Sequence, residues 1–343
     1  VAALRAAAAE ALDRDGARAL TYNFSPGYPP LREAVARRHA AEAREVFLAN
    51  GSIELLNFAA AALLGPGKRA FVESPSYDRA VALFRRSGAE VVGIPMEADG
   101  PDLEALEAAL ADGPPALFYT IADFHNPAGV VASEVKRRAV ADRARALGFL
   151  VVEDSPYRPL RYEGAAPPAY RDLAPELTLQ VHSVSKLLAP GLRVSWALGP
   201  APLVESLVRL GLERSMAPAS FSQATAAVAI ESGLLDRNIE ALKALYRPRL
   251  QSLKASFAAR LPGVAFPPAE GGFFIGATLP EGNRMDRLLA RAAEAGLRLT
   301  DGRAFFLDPA AGERFLRVPF CSLRPDEIAE AARRLAGLVD NLG

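Results

Sequence analysis

The chain is poor in the residues that build metal centres and covalent staples. Of its 343 residues one is a cysteine, Cys321, which excludes an intramolecular disulfide and a Cys-rich zinc or iron–sulfur site and suits a reducing compartment. His39, His125 and His182 are the three histidines, and no HExxH or HxH spacing gathers them, so no metal is expected. No apolar run reaches the ~18 residues of a membrane span, and no basic-then-apolar segment opens the sequence. An excess of one charge is also missing. Lys plus Arg number 40 and Asp plus Glu number 40, so no global field holds a polyanion or an anionic membrane. A cytoplasmic protein is expected, with neither nucleic acid nor membrane as partner.

What is present reads as an ordinary globular chain, with 50% hydrophobic and 23% charged residues and enough length for two domains. From about 45 to 200, short apolar runs alternate with helical patterns, as in repeated βα units. Strands are expected over 70–73, 90–94, 116–120, 149–153, 178–182 and 194–198, with helices over 76–86, 102–110 and 133–147 between them. Several of these runs are apolar throughout, as in a parallel sheet covered on both faces. Long helices follow over 201–215, 218–232 and 235–260. Strands return over 273–278, 297–300 and 315–319, and Pro325 opens a closing helix. The expected division is a large domain over 45–235 and a small α+β domain from 236–343, onto which the opening residues 1–44 pack.

Five lysines stand against 35 arginines, so each lysine can be judged singly. Lys68 follows a Gly-Pro-Gly turn and Lys136 sits in a Lys-Arg-Arg run, both expected to be solvated. Lys243 and Lys254 lie eleven apart on one helix, a spacing that puts them on one exposed face. Lys186 differs. It ends His182-Ser-Val-Ser-Lys186 at the exit of an apolar strand and precedes Arg193, so hydroxyls and a guanidinium surround one amine. A second apolar strand ends in Glu153-Asp154 before Ser-Pro-Tyr157, and a carboxylate at a parallel-strand tip faces the crevice where ligands bind. A third leads into His125-Asn126-Pro-Ala-Gly129. The Gly51-Ser52-Ile53 loop opens a helix whose free N–H groups suit a phosphate. Each segment alone is equally a capped turn or a polar strand exit.

Taken in order, these segments resemble the fold-type I pyridoxal-phosphate enzymes, in the aminotransferase class I and II group. The nearest likeness is to the aminoadipate and aromatic aminotransferase branch, related to the effector domains of MocR-type regulators. The likeness runs from about Tyr22 onward. It includes Gly27-Tyr28-Pro-Pro-Leu-Arg32, Gly51-Ser52, Pro75-Ser76-Tyr77, Asn126-Pro127-x-Gly129, Asp154-x-x-Tyr157, Ser183-x-Ser185-Lys186 with Arg193, Gly271-Gly-Phe-Phe274 and Arg317. The implied fold is α/β, a mainly parallel sheet of seven strands flanked by helices, with a smaller α+β domain drawn from both termini.

The resemblance implies pyridoxal 5'-phosphate as cofactor and Lys186 as the Schiff-base lysine and proton-transfer base. Asp154 would pair with the ring nitrogen, keeping it protonated. Tyr157 and Asn126 would donate to the phenolic oxygen, and Tyr77 would stack on the ring. Gly51, Ser52, Ile53, Ser183, Ser185 and Arg193 would hold the phosphate, joined by Tyr22 of a second subunit, which makes a homodimer the active unit. Arg317, beside Asn126, would clamp the substrate α-carboxylate. Expected partners are an L-amino acid of aromatic, branched-chain or 2-aminoadipate type and a 2-oxo acid such as 2-oxoglutarate. Phe24, Tyr28, Phe124, Phe273, Phe274 and Phe305 suggest a partly apolar pocket, although an aromatic-rich core is the commoner explanation for such residues.

Three departures accompany the likeness. His125 stands where Gln or Asn is usual, Ala128 replaces the common Thr, and Ile53-Glu54 replaces two amides, so Glu54 would repel a phosphate unless it turns away. Relatives carry a Gly- and Pro-rich N-terminal segment over the substrate, whereas this sequence opens on a helix. The same fold also serves as the ligand-sensing half of transcription regulators and in β-elimination or C–S lyase enzymes, two alternatives that share the cofactor.

Overall fold

The computed structural model describes residues 1–23 and 26–339. Its strands are β1 Val46–Ala49, β2 Arg69–Ser74, β3 Glu90–Glu97, β4 Gly100–Pro101, β5 Leu117–Thr120, β6 Leu150–Asp154, β7 Thr178–Ser183 and β8 Ser195–Leu198, then β9 Phe274–Thr278, β10 Thr300–Asp301 and β11 Phe315–Pro319. The helices that open the chain are α1 Ala2–Asp15, α2 Ala17–Leu20 and α3 Pro29–Arg38. Those among the first eight strands are α4 Ser52–Leu63, α5 Asp78–Arg86, α6 Leu103–Ala111, α7 Glu134–Leu147 and α8 Tyr170–Leu173. After them come α9 Ala201–Arg214, α10 Ser220–Glu231, α11 Leu234–Arg260, α12 Met285–Glu294 and α13 Pro325–Val339.

Side chains alternate across each strand, and both sets are apolar here. Phe71, Phe118 and Val151 meet Leu106 and Leu110 of α6 and Val140 and Ala144 of α7 on one face. Val72, Tyr119, Val152 and Val181 meet Leu55, Leu56 and Ala59 of α4 on the other. Burial on both sides is why these runs carry no polar alternation. Helix ends follow local chemistry: Asp102 accepts the Glu104 and Ala105 N–H groups ahead of α6, and Gly148 takes the left-handed conformation that ends α7.

Among the described residues the large sheet has eight strands, in the order β1-β8-β7-β6-β5-β2-β3-β4. That is one more than the seven the resemblance implies. The extra member, β4, is a two-residue edge antiparallel to β3. Strands β3, β2, β5, β6 and β7 run parallel, and β8 is antiparallel to β7. The second sheet, β10-β11-β9, is antiparallel and is backed by α11 and α13. It leans on the first where Gly276 N–H donates to Ala128 O at 2.9 Å.

Among the described residues the opening helices meet the expected C-terminal unit through the Arg38–Asp236 ion pair at 2.6 Å, and their main contacts lie elsewhere. α1 and α3 lie on α10, and α3 also lies on β1. Ala7 and Ala11 meet Ala224 and Ala227, small residues that let two helices approach closely, and Tyr28, Leu31 and Val35 complete this cluster with Trp196. We therefore propose that residues 1–44 belong with the large unit.

Lys136 is also not solvated. It is 7% exposed, ion-paired with Glu97 and Asp99 and bonded to Pro101 O, because α7 docks along the β3–β4 edge. Lys254 likewise reaches Glu163 and Ala269 O at 3.2 Å each and does not stand on an open face.

The α1–α10 contact predicts that Ala11→Leu overpacks the interface and costs about 1–3 kcal/mol. The exposed Leu12→Lys should stay within about 0.5 kcal/mol. Thermal unfolding of the two variants measures the difference.

Candidate active site

The topology places four expected residues on one edge. β2, β5, β6 and β7 are consecutive parallel neighbours, so the segments leaving their C-terminal ends converge. Tyr77 follows β2, Asn126 follows β5, Asp154 ends β6 and Lys186 follows β7 on a one-turn helix. Their charges register on one another. Burial, then the Asp154 charge, raises the Tyr77 and Tyr157 phenols, while Arg317 lowers both. Burial raises the Cys321 thiol, against the opposing charges of Lys186, Arg249 and Arg317.

Asp154 is 3% exposed, and its two oxygens are treated differently. Oδ2 accepts the Tyr119 hydroxyl at 3.0 Å. Oδ1 has no hydrogen-bond partner. Desolvation pushes the carboxyl from 3.8 up to about 7, with the Tyr119 hydrogen bond acting in the opposite direction. A buried acceptor in this state calls for a further donor.

Gly51 sits ahead of α4 at φ 105°, and a Cβ there would meet Arg193 Nη2 at 2.1 Å. Glycine thus lets the guanidinium lie against the loop, where Nη2 donates to Asn50 O at 3.2 Å. The first-turn N–H groups of α4, from Ser52 and Ile53, have no acceptor within the helix. Ser183 Oγ lies 2.9 Å from Ser185 Oγ and accepts Ser185 N–H at 3.1 Å. Glu54 is turned to structural work: it accepts Asn50 N–H at 2.5 Å and the Ser215 hydroxyl at 2.8 Å. Both its oxygens are thus engaged in closing the loop.

Arg317 reaches across from β11. Nη1 donates to Asn126 Oδ1 at 3.4 Å, and the guanidinium lies 4.8 Å from the Phe274 ring and 4.9 Å from the Phe305 ring. Its buried Nε has no partner. Asn126 is held in place by a residue the motif reading treated only as a departure. His125 Nδ1 accepts Ala128 N–H at 3.2 Å, and Nε2 lies 3.1 Å from Glu73 Oε2. Glu73, 1% exposed, also accepts the Thr120 hydroxyl and Ile121 N–H, which pins the loop after β5. Tyr119, Glu73 and Thr120 were missed from sequence because a tyrosine, glutamate or threonine inside an apolar strand reads as core.

Phe273 and Phe274 pack edge-on to Tyr157 with centroids at 5.4 and 6.1 Å, so with Phe305 they line the site. Phe124 sits beneath Gly271 and Gly272. Tyr28 is not in the pocket; it is fully buried in the α1–α10 cluster and bonded to Asp15. Phe24 lies outside the described residues. Tyr22 is 68% exposed beside residues 217–222.

The sequence matches the family described as aminotransferase class I and II over residues 2–335. The chain belongs to the class I and II aminotransferase family. A 2-aminoadipate transaminase of Thermus thermophilus is 31% identical over 98% of this chain and 85% of its own. An aromatic-amino-acid aminotransferase of Thermococcus litoralis is 31% identical over 95% and 81%. The crystal structure of the alpha-aminoadipate aminotransferase LysN from Thermus thermophilus, complexed with N-(5'-phosphopyridoxyl)-L-leucine, matches with TM-score 0.91 at 30% identity, over 99% of this chain and 88% of that one. The large, mostly parallel sheet with its flanking helices is thus the fold-type I aminotransferase architecture.

In this aminotransferase the Asp154 carboxyl holds, when folded, a proton that the unfolded chain releases between about 4 and 7. Stability of the ligand-free protein therefore falls as pH rises through that window. Asp154→Asn removes the cost, so at pH 8 the ligand-free variant should be more stable than wild type by roughly 2–4 kcal/mol. Near pH 4 the difference should vanish. Thermal unfolding at the two pH values measures it.

Proposed function

We propose that the chain is a pyridoxal 5'-phosphate-dependent aminotransferase exchanging an amino group between an L-amino acid and a 2-oxo acid. The observation that carries this reading is the buried, unpartnered Asp154 Oδ1 on the strand beside the one that delivers Lys186, whose amine has no ion-pair or hydrogen-bond partner among the described residues. When bound, the cofactor supplies an aldehyde carbon and an electron-withdrawing ring that stabilises negative charge at the substrate Cα.

Each residue then has a task. Asp154 Oδ1 accepts the ring N–H and holds the proton there. Tyr157 and Asn126 donate to the phenolic oxygen, and Tyr77 covers a ring face. Ser52, the N–H groups of the first α4 turn, Ser183, Ser185 and Arg193 hold the phosphate, with Gly51 giving the guanidinium its room. Lys186 moves the proton at the substrate Cα. Arg317 forks the α-carboxylate, its orphan Nε supplying one of two parallel N–H donors, while Phe274 and Phe305 exclude water around it.

The donor we favour is aromatic, branched-chain or 2-aminoadipate in type, with 2-oxoglutarate as acceptor. Support comes from the aromatic rim of Phe273, Phe274 and Phe305 and from the relatives' names. We favour a homodimer as the active unit. Leu20, Tyr22, Met216 and Phe221 are exposed large apolar residues, and segments 19–22 and 217–222 line one hollow of about 590 Å³. A second copy covering this face brings Tyr22 to the partner's phosphate. The most economical location for such an enzyme is the cytoplasm.

Protein reconstituted with pyridoxal 5'-phosphate should exchange amino groups across a panel of donors with 2-oxoglutarate, and should release little ammonia or pyruvate from sulfur amino acids. Lys186→Ala should lower kcat by about 10²–10⁴. Arg317→Ala should lower kcat/KM about tenfold to a hundredfold, by loss of charged hydrogen bonds. Borohydride trapping followed by peptide mapping decides the lysine; a label on another lysine overturns the reading.

Gly51→Ala should force Arg193 from the phosphate position and raise the Kd for pyridoxal 5'-phosphate about tenfold or more, the loss of about one charged hydrogen bond. Cofactor titration followed by absorbance reads this directly.

A further inference from the structure

We propose that Tyr119 is a positioning residue that weakens Asp154 as a base, so that the proton shared between Asp154 and the cofactor ring stays on the ring. The inference rests on the reading above and adds to it the device that tunes the ring's protonation.

The geometry comes from the sheet. β5 and β6 are parallel neighbours with Thr120 opposite Glu153, which sets Tyr119 one residue back on β5 with its hydroxyl level with the Asp154 carboxylate. The ring is fully buried and meets Phe84 edge-on at 5.5 Å, so the hydroxyl has no freedom to swing away. It donates to Oδ2 at 3.0 Å, leaving Oδ1 for the ligand. Burial, then the Asp154 charge and this bond, holds the Tyr119 phenol well above its usual range. Tyr119 is therefore a donor at every working pH.

The other groups around Asp154 do not take this role. Tyr77 from the start of α5 and Tyr157 from the turn after β6 feel the Asp154 charge, and Arg317 from β11 acts on both phenols. Among the described residues Tyr119 is the one side chain that hydrogen-bonds to Asp154, and no cation pairs with it. A donor on one carboxylate oxygen withdraws charge from the other and favours the ionised form. Without it, the carboxylate competes for the ring proton, and the ring becomes a poorer electron acceptor.

The test compares wild type with Tyr119→Phe after reconstitution with ring-¹⁵N pyridoxal 5'-phosphate. In wild type the ¹⁵N resonance should lie at the protonated-pyridine position, and in the variant it should move toward the neutral position, with kcat down about tenfold to a hundredfold. In ligand-free protein, ¹³C NMR of the Asp154 carboxyl should show its midpoint raised by about one to two pH units. Replacing Tyr119 with 3-fluorotyrosine keeps the packing and strengthens the donor, so the carboxyl midpoint should fall below that of wild type while the ¹⁵N resonance stays at the protonated position. Unchanged ¹⁵N position and carboxyl midpoint in a variant that binds cofactor overturn the inference and leave the proposed function standing. Failure of wild type to take up the cofactor on Lys186 overturns the proposed function itself, and this inference with it.

Discussion

A carboxylate buried at the tip of a parallel strand, with one oxygen bonded and the other left open, is the interaction on which the site depends. Such a group is costly to hold ionised without a partner. The protein places no cation on it. Asp154 sits instead among tyrosines, of which only Tyr119 among the described residues donates to it. An arginine neighbour would satisfy the charge permanently and leave nothing for a ligand to complete. A phenol gives partial satisfaction and leaves Oδ1 open to a further donor, the role the proposed function gives to a ring N–H.

Positioning follows from the order of strands. Four consecutive parallel strands put Tyr77, Asn126, Asp154 and Lys186 on one edge, although they are spread over more than a hundred residues of sequence. The antiparallel sheet then has to bring Arg317 to that edge. It does so by backbone contact: Gly276 donates to Ala128 O, and the loop that carries Asn126 lies against β9. Register sets Gly276 opposite Arg317 on β11, so the contact that joins the sheets also places the guanidinium beside Asn126. Fold and site share this contact.

Much of this was legible in the sequence, for a physical reason. Strands buried on both faces are apolar throughout, so β2, β5, β6, β7 and β8 stood out, as did the apolar run of the half-buried β3, and polar residues where those runs stop marked the site edge. β1 was not recognised as a strand. Its four residues, Val46–Ala49, directly follow the Arg-rich end of a helical pattern, and only pairing with β8 makes them one. β4 has two residues and no pattern of its own. The packing of the opening helices was misjudged because alanine-rich faces carry almost no periodic signal, whereas α10 supplies matching alanines far along the chain. The buried polar supports, Glu73, Thr120 and Tyr119, were invisible because their partners come from other strands, and His125 gained a role only once Glu73 lay 3.1 Å from it.

The charge pattern of the site gives the arrangement a direction. Elsewhere Lys136 and Arg137 are buried with carboxylates at ion-pair distance, as buried cations must be. Lys186, Arg193 and Arg317 have no carboxylate within ion-pair distance among the described residues, and Asp154 accepts from a tyrosine. Under the proposed function, a phosphate would stand at the Gly51–Arg193 end and a carboxylate at the Arg317 end. Lys186 lies between these anchors along the sheet edge, where the reacting amine has to stand. A substrate with no α-carboxylate would leave the Arg317 guanidinium desolvated against Phe274 and Phe305 without an anion. Under the proposed function, discrimination for α-amino and 2-oxo acids would be set by the cost of leaving that cation unpaired, and the aromatic rim that raises this cost would also admit an apolar side chain.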